Sequence, residues 1–382
     1  MATDFPADKF KQYGTPFYYY DTDVLRKTVE TASAEAGKHG FHLHYAVKAN
    51  ANPEILRIIS SYGIGADCVS WNEIQRALDC GFSPGKIVFA GAGKSDYEIE
   101  NALKAGILCI NCESVQEIGV IDSIAGRLGI KADIALRINP YVDAHTHKHI
   151  TTAIEDSKFG IPMNHINDAV AVLKESGNIN MTGIHFHIGS QITRLQVFKS
   201  LCARINEISD QLARLGVALR IINVGGGLGI DYHNPETIPS FKEYFELFKE
   251  LLKIYPGQEV HFEPGRSLVA QCGSLISRVL YIKNGDTSTF AVIDAGMNDL
   301  IRPALYQAYH KIENITSAGV RAFYNVVGPV CESADIFGKQ VELPETARGD
   351  IIAIRSVGAY GESMASRYNL RDLAPSYFSD RL

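Results

Sequence analysis

The segment FHLHYAVKAN at residues 41–50 alternates between apolar and polar side chains. In an extended strand, the odd-numbered residues from Phe41 to Val47 share one face. The opposite face carries two imidazoles and ends in the amine of Lys48. A parallel strand buried on both faces is usually apolar throughout, so this pattern favours a barrel strand whose inner face leads to a polar mouth. An amine held there loses solvation, which lowers its pKa and makes it nucleophilic. The alternative is a surface lysine after a short strand.

Seven further strand-like segments follow at regular spacing, and helical segments separate them. With the first, the predicted strands are residues 41–48, 64–70, 86–91, 107–111, 132–139, 181–189, 220–227 and 259–265. Eight strands alternating with helices predict an α/β protein with a (β/α)₈ TIM-type barrel. Polar side chains recur on the inner face of three later strands, at Arg137 and Asn139, His185 and His187, and His261 and Glu263. We therefore expect a shared site at the mouth of the barrel.

After Gly265 the pattern changes to short β-type runs separated by turn signals. These runs are residues 274–283, 290–294, 322–327 and 350–355, with a hairpin turn expected at 284–286. They predict a second, mostly antiparallel β domain. We expect residues 21–265 to form the barrel, and residues 1–20 to join residues 266–382 in the β domain.

Composition restricts the classes of partner and location. The chain has 382 residues, a formal net charge of -6 and no long basic run, so neither nucleic acid nor an anionic membrane is an expected partner. No signal peptide is visible, and no apolar stretch approaches the roughly 20 residues that span a bilayer. The seven cysteines are scattered, which favours reduced thiols. We expect a cytoplasmic protein.

Two motifs near the predicted ends of the seventh and eighth strands suggest an anion site and a charged site. Gly225, Gly226 and Gly227 leave backbone N–H groups accessible, as phosphate sites require, although a tight turn is the alternative. Barrel phosphate sites commonly follow strands seven and eight, where Arg266 would add a cation. Glu263 at the mouth of the barrel needs a cationic partner, either Arg266 or a protonated pyridine nitrogen.

Three other motifs do not support a functional interpretation. Residues 91–95 (GAGKS) resemble the end of a P-loop, but Val88 stands where that motif needs glycine. The pair Cys109 and Cys112 has no second pair at metal-site spacing. Three alternating histidines lie in a long polar loop between residues 141 and 161, which supplies poor ligand geometry. We therefore predict no metal at these histidines, which are His145, His147 and His149.

Several segments, in order and spacing, resemble the diaminopimelate decarboxylase family, whose members are pyridoxal-phosphate decarboxylases with an alanine-racemase-like barrel and a β domain. The segments are residues 45–50, 137–140, 157–160, 185–190, 225–227, 263–266, 331–335 and 358–361. The likeness covers nearly the whole chain. The chain departs from the family pattern at two places. Ala334 stands where glycine is usual, and we expect this change to alter a tight turn. Trp71 and Asn72 stand where a pair of glycines is common.

The resemblance implies pyridoxal 5'-phosphate as the cofactor. Lys48 would bind it covalently, His187 would stack on its ring, and Glu263 would pair with its pyridine nitrogen. The phosphate would be held by Ser190, the three glycines and Arg266. The full implied cofactor-binding set is Lys48, Asp67, His187, Ser190, Gly225, Gly226, Gly227, Glu263, Arg266 and Tyr360.

The resemblance also implies a homodimer with shared active sites. Cys331 would protonate the product, and Cys331 and Glu332 would reach into the barrel of the partner subunit. Arg302 and Tyr306 would grip the distal carboxylate of an amino-acid substrate. The full implied substrate-binding set is Arg266, Arg302, Tyr306, Glu332 and Tyr360.

The expected reaction is decarboxylation of meso-2,6-diaminopimelate to L-lysine and CO2, the last step of lysine biosynthesis. A carboxylate at Glu263 keeps the ring nitrogen protonated and strengthens the cofactor as an electron sink, whereas racemases of this fold carry an arginine there. Arginine at position 302 suits a second carboxylate on the substrate. The alternatives are a decarboxylase of this fold for carboxynorspermidine, ornithine or arginine, and a non-catalytic cofactor-binding relative.

Overall fold

The computed structural model describes residues 5–142 and 157–382. The strands are β1 (Phe17–Tyr20), β2 (His42–Ala46), β3 (Gly65–Cys68), β4 (Ile87–Phe89), β5 (Cys109–Cys112), β6 (Ala132–Asn139), β7 (Ile161–Pro162), β8 (Ile179–His185), β9 (Ile221–Asn223), β10 (Glu259–Phe262), β11 (Gly273–Asn284), β12 (Thr289–Ile293), β13 (Ile312–Asn314), β14 (Arg321–Val327), β15 (Ile336–Pro344), β16 (Ile351–Ile354) and β17 (Ser376–Phe378). The α-helices are α1 (Ala7–Phe10), α2 (Thr22–Gly37), α3 (Pro53–Ser60), α4 (Trp71–Asp79), α5 (Asp96–Ala105), α6 (Val115–Leu128), α7 (Ile166–Glu175), α8 (Leu195–Arg214), α9 (Phe241–Leu251), α10 (Arg266–Val269) and α11 (Arg302–Tyr306). Among the described residues, every helix is too short or too polar to cross a membrane.

Eight parallel strands close into a barrel in the order β2, β3, β4, β5, β6, β8, β9, β10 and back to β2. A helix lies between each pair of consecutive barrel strands, from α3 to α9. The helices from α3 to α6 begin at residues whose side chains cap them; Ser95, for example, forms a reciprocal capping box with Glu98 at the start of α5. The predicted (β/α)₈ barrel is therefore confirmed.

The alternation along the first barrel strand has the expected structural result. Phe41, on the apolar face, packs its ring against those of Phe245 in α9 and Phe262 in β10, with ring centroids 6.2 and 5.1 Å away. His44, on the polar face, is buried and contacts His261 of the neighbouring strand β10. One face thus packs in the apolar core and the other carries polar groups.

Several barrel strands end earlier than predicted. The first ends at Ala46, and Lys48 lies in a one-turn 3₁₀ helix at Val47–Ala49 instead of on the strand. The sixth, seventh and eighth end at His185, Asn223 and Phe262, before the glycines and prolines that follow them. Glycines with positive φ and prolines take the chain out of the ladder, so these residues form loops at the mouth.

The second sheet has the strand order β13, β16, β11, β12, β14, β15, and β1 pairs with both β11 and β17. Its pairings are antiparallel except for β12 with β14 and β1 with β17. This agrees with the predicted mostly antiparallel β domain. Strands β13, β15 and β17 were not predicted, because β15 carries polar residues at many positions and the other two have only three residues.

The chain divides into two compact units. The barrel unit comprises Val29–Gly229 and Ser240–Gly265, and the β unit comprises Met1–Thr28, Ile230–Pro239 and Arg266–Leu382. Residues 230–239 group with the β unit because their contacts lie there: Gln271 donates hydrogen bonds to the carbonyls of Pro235 and Thr237. The sequence-based boundaries placed this segment in the barrel.

Candidate active site

Lys48 lies at the mouth of the barrel, directly beyond the end of β2. Its Nζ is 2.8 Å from Oδ2 of Asp67, a fully buried carboxylate on β3. The Lys48 side chain keeps 35% of its surface exposed, so the amine remains accessible. Oδ1 of Asp67 is buried without a hydrogen-bond partner. The neighbouring strands β2 and β3 thus bring an accessible amine and a buried acid together.

Glu263 follows β10 and is buried, and its two carboxylate oxygens accept different hydrogen bonds. His185 donates from Nε2 to Oε2 at 2.9 Å, and Asn223 donates from Nδ2 to Oε1 at 2.7 Å. These donors stand at the ends of β8 and β9, so three adjacent strands fix the carboxylate. Nδ1 of His185 is buried without a partner.

The two buried acids respond differently to their surroundings. Burial opposes ionisation of Glu263, but the charge and hydrogen bond of His185, together with Lys48, outweigh it and hold the pKa of Glu263 well below its usual 4.5. Burial and the nearby charge of Glu263 raise the pKa of Asp67, and Lys48 offsets this only in part. Glu263 is therefore a stable anion at neutral pH.

His187 follows β8, the three glycines follow β9, and a hydrogen bond joins these two loops next to the buried acids. Burial, followed by the charges of Lys48 and Arg137, lowers the pKa of His187 well below 6.5, so its ring is neutral. The Gly226 N–H donates to Nδ1 of His187 at 3.3 Å, which leaves the ring proton on Nε2. Ser190 lies in the same loop region and is half-buried.

The glycines are required by close approach of the backbone. Gly225 has a φ of +73°, and a Cβ there would meet the carbonyl oxygen of Phe186; a Cβ on Gly226 would meet the carbonyl of Glu263. The Gly225 N–H donates to Oδ1 of Asn223 at 2.9 Å. The expected row of bare N–H groups is thus partly occupied, because Asn223 and His187 accept from the first two glycines.

A buried ion pair between Arg137 and Glu113 lies on the opposite side of the mouth, and only Arg137 was predicted from the sequence. Arg137, on β6, donates from Nη1 to Oε1 of Glu113 at 2.5 Å, and both side chains are buried. Glu113 also accepts the N–H groups of Gly91 and Gly160. The Arg137 guanidinium lies 4.7 Å from the centre of the Phe159 ring. Glu113 was missed, although its position directly after the fourth barrel strand is a signal for the mouth.

These residues enclose a cavity of about 280 Å³ at the mouth of the barrel. Its lining is Lys48, Val69, Ala90, Gly91, Arg137, Phe159, His185, His187 and Glu263. An accessible amine, an anionic carboxylate and a neutral imidazole line one partly apolar space. Together with the unpartnered Nδ1 of His185, this donor set fits pyridoxal phosphate, which needs an amine for covalent attachment and an anion for its ring nitrogen.

In the β unit, two arginines predicted as site residues both contact Tyr232, which no sequence motif indicated. Arg266 and Arg302 donate from Nη1 to the hydroxyl of Tyr232, at 2.6 and 2.7 Å, and both are buried. The Arg266 guanidinium lies 4.8 Å from the centre of the Tyr360 ring. Tyr360 has a φ of +58°, a conformation that non-glycine residues rarely adopt. Nε of Arg302 is buried without a partner, so the cluster has capacity for an anion.

The remaining predicted residues of the β unit lie near its surface. Tyr306, at the end of α11, is half-buried, and the thiol of Cys331 is free and exposed. The exposed Glu332 accepts a hydrogen bond from the Tyr368 hydroxyl at 2.7 Å. Ala334, in the same segment, does not have a positive φ, so this turn does not require the glycine usual in the family.

The GAGKS segment and the cysteine pair, for which the sequence did not support a function, have structural positions in the described part of the chain. The buried amine of Lys94 pairs with Glu117 at 2.8 Å and donates to the carbonyls of Gly91 and Asn111. Cys109 and Cys112 are free and buried at the two ends of β5. The histidines at 145, 147 and 149 lie outside the described residues.

Glu73, in α4, makes the free energy of unfolding depend on pH. Its Oε2 accepts the Val69 N–H at 2.8 Å, and burial raises the pKa of Glu73 to about 7. The folded protein then holds a proton that the unfolded chain releases near its usual 4.5, so the free energy of unfolding falls as pH rises from about 4.5 through about 7. We expect Glu73→Gln to remove this part of the slope, worth no more than about 3 kcal/mol, in urea unfolding at several pH values. Identical slopes in wild type and variant would contradict the prediction.

Comparison with known proteins agrees with this site. The family described as "Pyridoxal-dependent decarboxylase, pyridoxal binding domain" matches residues 23–270. Diaminopimelate decarboxylase of Bacteroides thetaiotaomicron is 54% identical over 385 residues, which cover 100% of this chain and 100% of that protein. The crystal structure of diaminopimelate decarboxylase from Helicobacter pylori, complexed with L-lysine, has a TM-score of 0.92 and 42% identity and covers 97% of this chain and 93% of that one.

A more distant solved structure has the same fold. Diaminopimelate decarboxylase from M. jannaschii, in co-complex with L-lysine, has a TM-score of 0.91 and 35% identity, covering 98% of this chain and 90% of that chain. Full-length likeness at this level of identity, together with an amine and a fixed carboxylate in one barrel cavity, leads to one conclusion. The chain belongs to the diaminopimelate decarboxylase family of pyridoxal-dependent decarboxylases.

Proposed function

We propose that this protein is a carboxy-lyase that converts meso-2,6-diaminopimelate to L-lysine and CO2 with pyridoxal phosphate as its cofactor, the last step of lysine biosynthesis. The observation that carries the proposal is that Lys48 and the ionised Glu263 line the same cavity. The two lysine-complexed relatives support the choice of substrate. A biosynthetic role of this kind fits the cytoplasmic location expected from the sequence.

The residues of the barrel mouth would bind the cofactor in distinct ways. Lys48 would hold it covalently, the Glu263 carboxylate would hold its protonated ring nitrogen, and the neutral His187 ring would pack against its face. When bound, pyridoxal phosphate takes up the electron pair that remains at Cα after CO2 leaves an amino acid. The role proposed for Asp67 rests on its ion pair with Lys48, which keeps the amine at the mouth.

Retention of charge on Glu263 favours decarboxylation over racemisation. Its two hydrogen bonds, from His185 and Asn223, keep the carboxylate ionised at neutral pH. An anion at this position stabilises a protonated ring nitrogen, whereas a cation would repel it. The proton that replaces the lost carboxylate at Cα would come from the thiol of Cys331.

The arginine cluster of the β unit supports selection of an anionic group. Two buried guanidinium groups meet at one phenol oxygen, and Arg302 keeps a free Nε donor. We assign Arg302 and Tyr306 to the distal carboxylate of the substrate, Glu332 to its amine, and Arg266 with Tyr360, Ser190 and the three glycines to phosphate. A cationic side chain such as that of ornithine gains nothing from such a cluster and is repelled by it.

Arg302→Ala tests the assignment of the distal carboxylate. We expect KM for diaminopimelate to rise on the order of 100-fold, because a charge-assisted bidentate contact is lost, while the affinity for pyridoxal phosphate changes little. Steady-state kinetics and a cofactor titration measure the two effects. Arg321→Ala, at an exposed arginine on β14, is the matched control and should leave both unchanged. Equal losses of substrate and cofactor affinity would show that Arg302 is structural.

We also propose that the active site is completed in a homodimer. The exposed Cys331 and Glu332 are positioned by hydrogen bonds from the Cys331 N–H to Asn369 and from Tyr368 to Glu332, so the segment is ordered at the surface. If it acts in the partner's barrel, mixed dimers of Lys48→Ala and Cys331→Ala subunits will contain one intact site. Activity should return when the two inactive proteins are unfolded and refolded together. No recovery in verified mixed dimers would contradict a shared site.

A substrate panel tests the reaction itself. CO2 release should be fast with meso-diaminopimelate, slow with ornithine, arginine and carboxynorspermidine, and dependent on added pyridoxal phosphate in the cofactor-free protein. Preference for ornithine or arginine would identify another decarboxylase of this fold. Absence of CO2 release from every substrate, in protein that binds the cofactor, would support the non-catalytic alternative.

A further inference from the structure

A second polar cluster lies at the end of the barrel opposite Lys48 and Glu263. His42 begins β2, Glu259 begins β10, and His261 is the register partner of His42 across these two strands. One ligand-type atom from each of the three side chains lies within 4.8 Å of the others. A cavity of about 380 Å³ gives access to all three residues.

A chain of hydrogen bonds determines which nitrogen of His261 carries a proton. Nδ1 of His44 is 3.0 Å from the Lys86 carbonyl, which can only accept, so this nitrogen is protonated. Nε2 of a neutral His44 is then an acceptor, and it lies 2.8 Å from Nδ1 of His261. His261 must therefore donate from Nδ1, and in a neutral ring its Nε2 presents a lone pair.

The lone pair on His261 faces another acceptor. Its Nε2 is 3.4 Å from Oε2 of Glu259. This separation is longer than the roughly 2.7–2.9 Å of a charge-assisted N–H···O hydrogen bond. It equals the spacing of about 3.3–3.4 Å between two ligand atoms that each lie about 2.0–2.1 Å from a tetrahedral zinc ion. The exposed ring of His42 stands beside them, with its centroid 4.8 Å from that of His261.

We propose that His42, Glu259 and His261 bind one divalent transition-metal ion, for which Zn²⁺ is the best match. Two imidazoles and one carboxylate suit zinc and its neighbours, whereas Mg²⁺ and Ca²⁺ prefer oxygen ligands throughout. His44 and the Lys86 carbonyl supply the outer hydrogen bonds that orient a ligating imidazole. Arg220 competes for the same carboxylate, with Nη1 3.7 Å from Oε2 of Glu259.

The location assigns the ion a structural role. β2 and β10 are the first and last strands of the barrel, and two register pairs join them. A metal bound to side chains of both strands would add a further link between them. An ion that binds the folded chain raises its stability by mass action. Lys48 and Glu263 follow the other ends of the same strands, so the ion takes no part in the reaction.

Zinc titration of the cofactor-loaded protein tests the proposal. Calorimetry should show one Zn²⁺ per chain with high affinity, and Zn²⁺ should raise the melting temperature. His42→Ala and Glu259→Gln should each weaken binding by more than about 100-fold and abolish the thermal shift, and His44→Ala should weaken it about 10- to 100-fold. Arg220→Gln should tighten binding, because it removes the cation that competes for Glu259. If the three side chains did not bind the ion, removing the Arg220 charge would not raise the affinity for Zn²⁺.

Two controls separate this site from other zinc ligands in the chain. His165→Ala changes an exposed histidine on another part of the barrel unit, and a triple alanine variant removes His145, His147 and His149. Neither should alter the high-affinity binding. The proposal is overturned if wild type and His42→Ala bind Zn²⁺ equally, or if the triple variant alone loses binding. In either case His42, Glu259 and His261 are a polar cluster of the barrel that does not hold a metal ion.

Discussion

Lys48→Ala is expected to abolish the visible absorbance of bound pyridoxal phosphate and to lower kcat by at least about 10⁴-fold. The Lys48 amine is accessible at the mouth of the barrel and lies 2.8 Å from the buried Asp67 carboxylate. Alanine removes the covalent attachment point and leaves Asp67 without its partner. Absorbance spectra of the cofactor-loaded protein and the rate of CO2 release measure the two effects.

Lys48→Arg is the matched control for loss of the positive charge. Arginine maintains an ion pair with Asp67, so the variant should fold with a melting temperature near that of wild type. It lacks the primary amine, so it should be as inactive as the alanine variant. An active arginine variant would mean that Lys48 acts only through its charge, and an active alanine variant would remove it from the mechanism.

Glu263→Gln is expected to lower kcat on the order of 10³-fold with a much smaller change in KM. Glutamine keeps the size of the side chain but cannot keep a ring nitrogen protonated. Its amide N–H₂ also faces the donors on His185 and Asn223, which now bond the carboxylate oxygens. Single-turnover rates of CO2 release at saturating cofactor measure the effect.

Glu263→Asp separates the effect of charge from that of packing. The shorter acid retains the anion, so it should recover part of the rate that glutamine loses even if both variants are less stable than wild type. Glu250→Gln, the same substitution on the exposed surface of α9, should behave as wild type. A glutamine variant within tenfold of the wild-type rate would show that the charge on Glu263 is not needed.

The barrel could be predicted from the sequence because its signals are local. The two-residue periods of segments 41–48, 181–189 and 259–265 indicated which face of each strand carries polar groups. The structure places His44 beside His261 and His185 beside Glu263, as those periods predict. Strand ends were predicted less well. Ala46 ends the first strand because the next residues form a 3₁₀ turn, and no local preference distinguishes Val47 from a further strand residue.

Residues that act through tertiary contacts could not be found in this way. Tyr232 lies in a segment without a motif, and its role appears only when Arg266 and Arg302, which are distant in sequence, both donate to its hydroxyl. Asn223 is similar, since its amide donates to the Glu263 carboxylate, which follows the neighbouring strand β10. Their side chains are ordinary polar residues in sequence, and their function depends on which strand ends the closed barrel brings together.

Borohydride reduction of the cofactor-loaded protein, followed by peptide mass spectrometry, tests whether Lys48 carries the cofactor. Reduction fixes the pyridoxyl group to the lysine that carries it. We predict the added mass on the peptide that contains Lys48 and its absence in Lys48→Arg. A label on a different lysine, such as the buried Lys94, would show that Lys48 does not bind the cofactor.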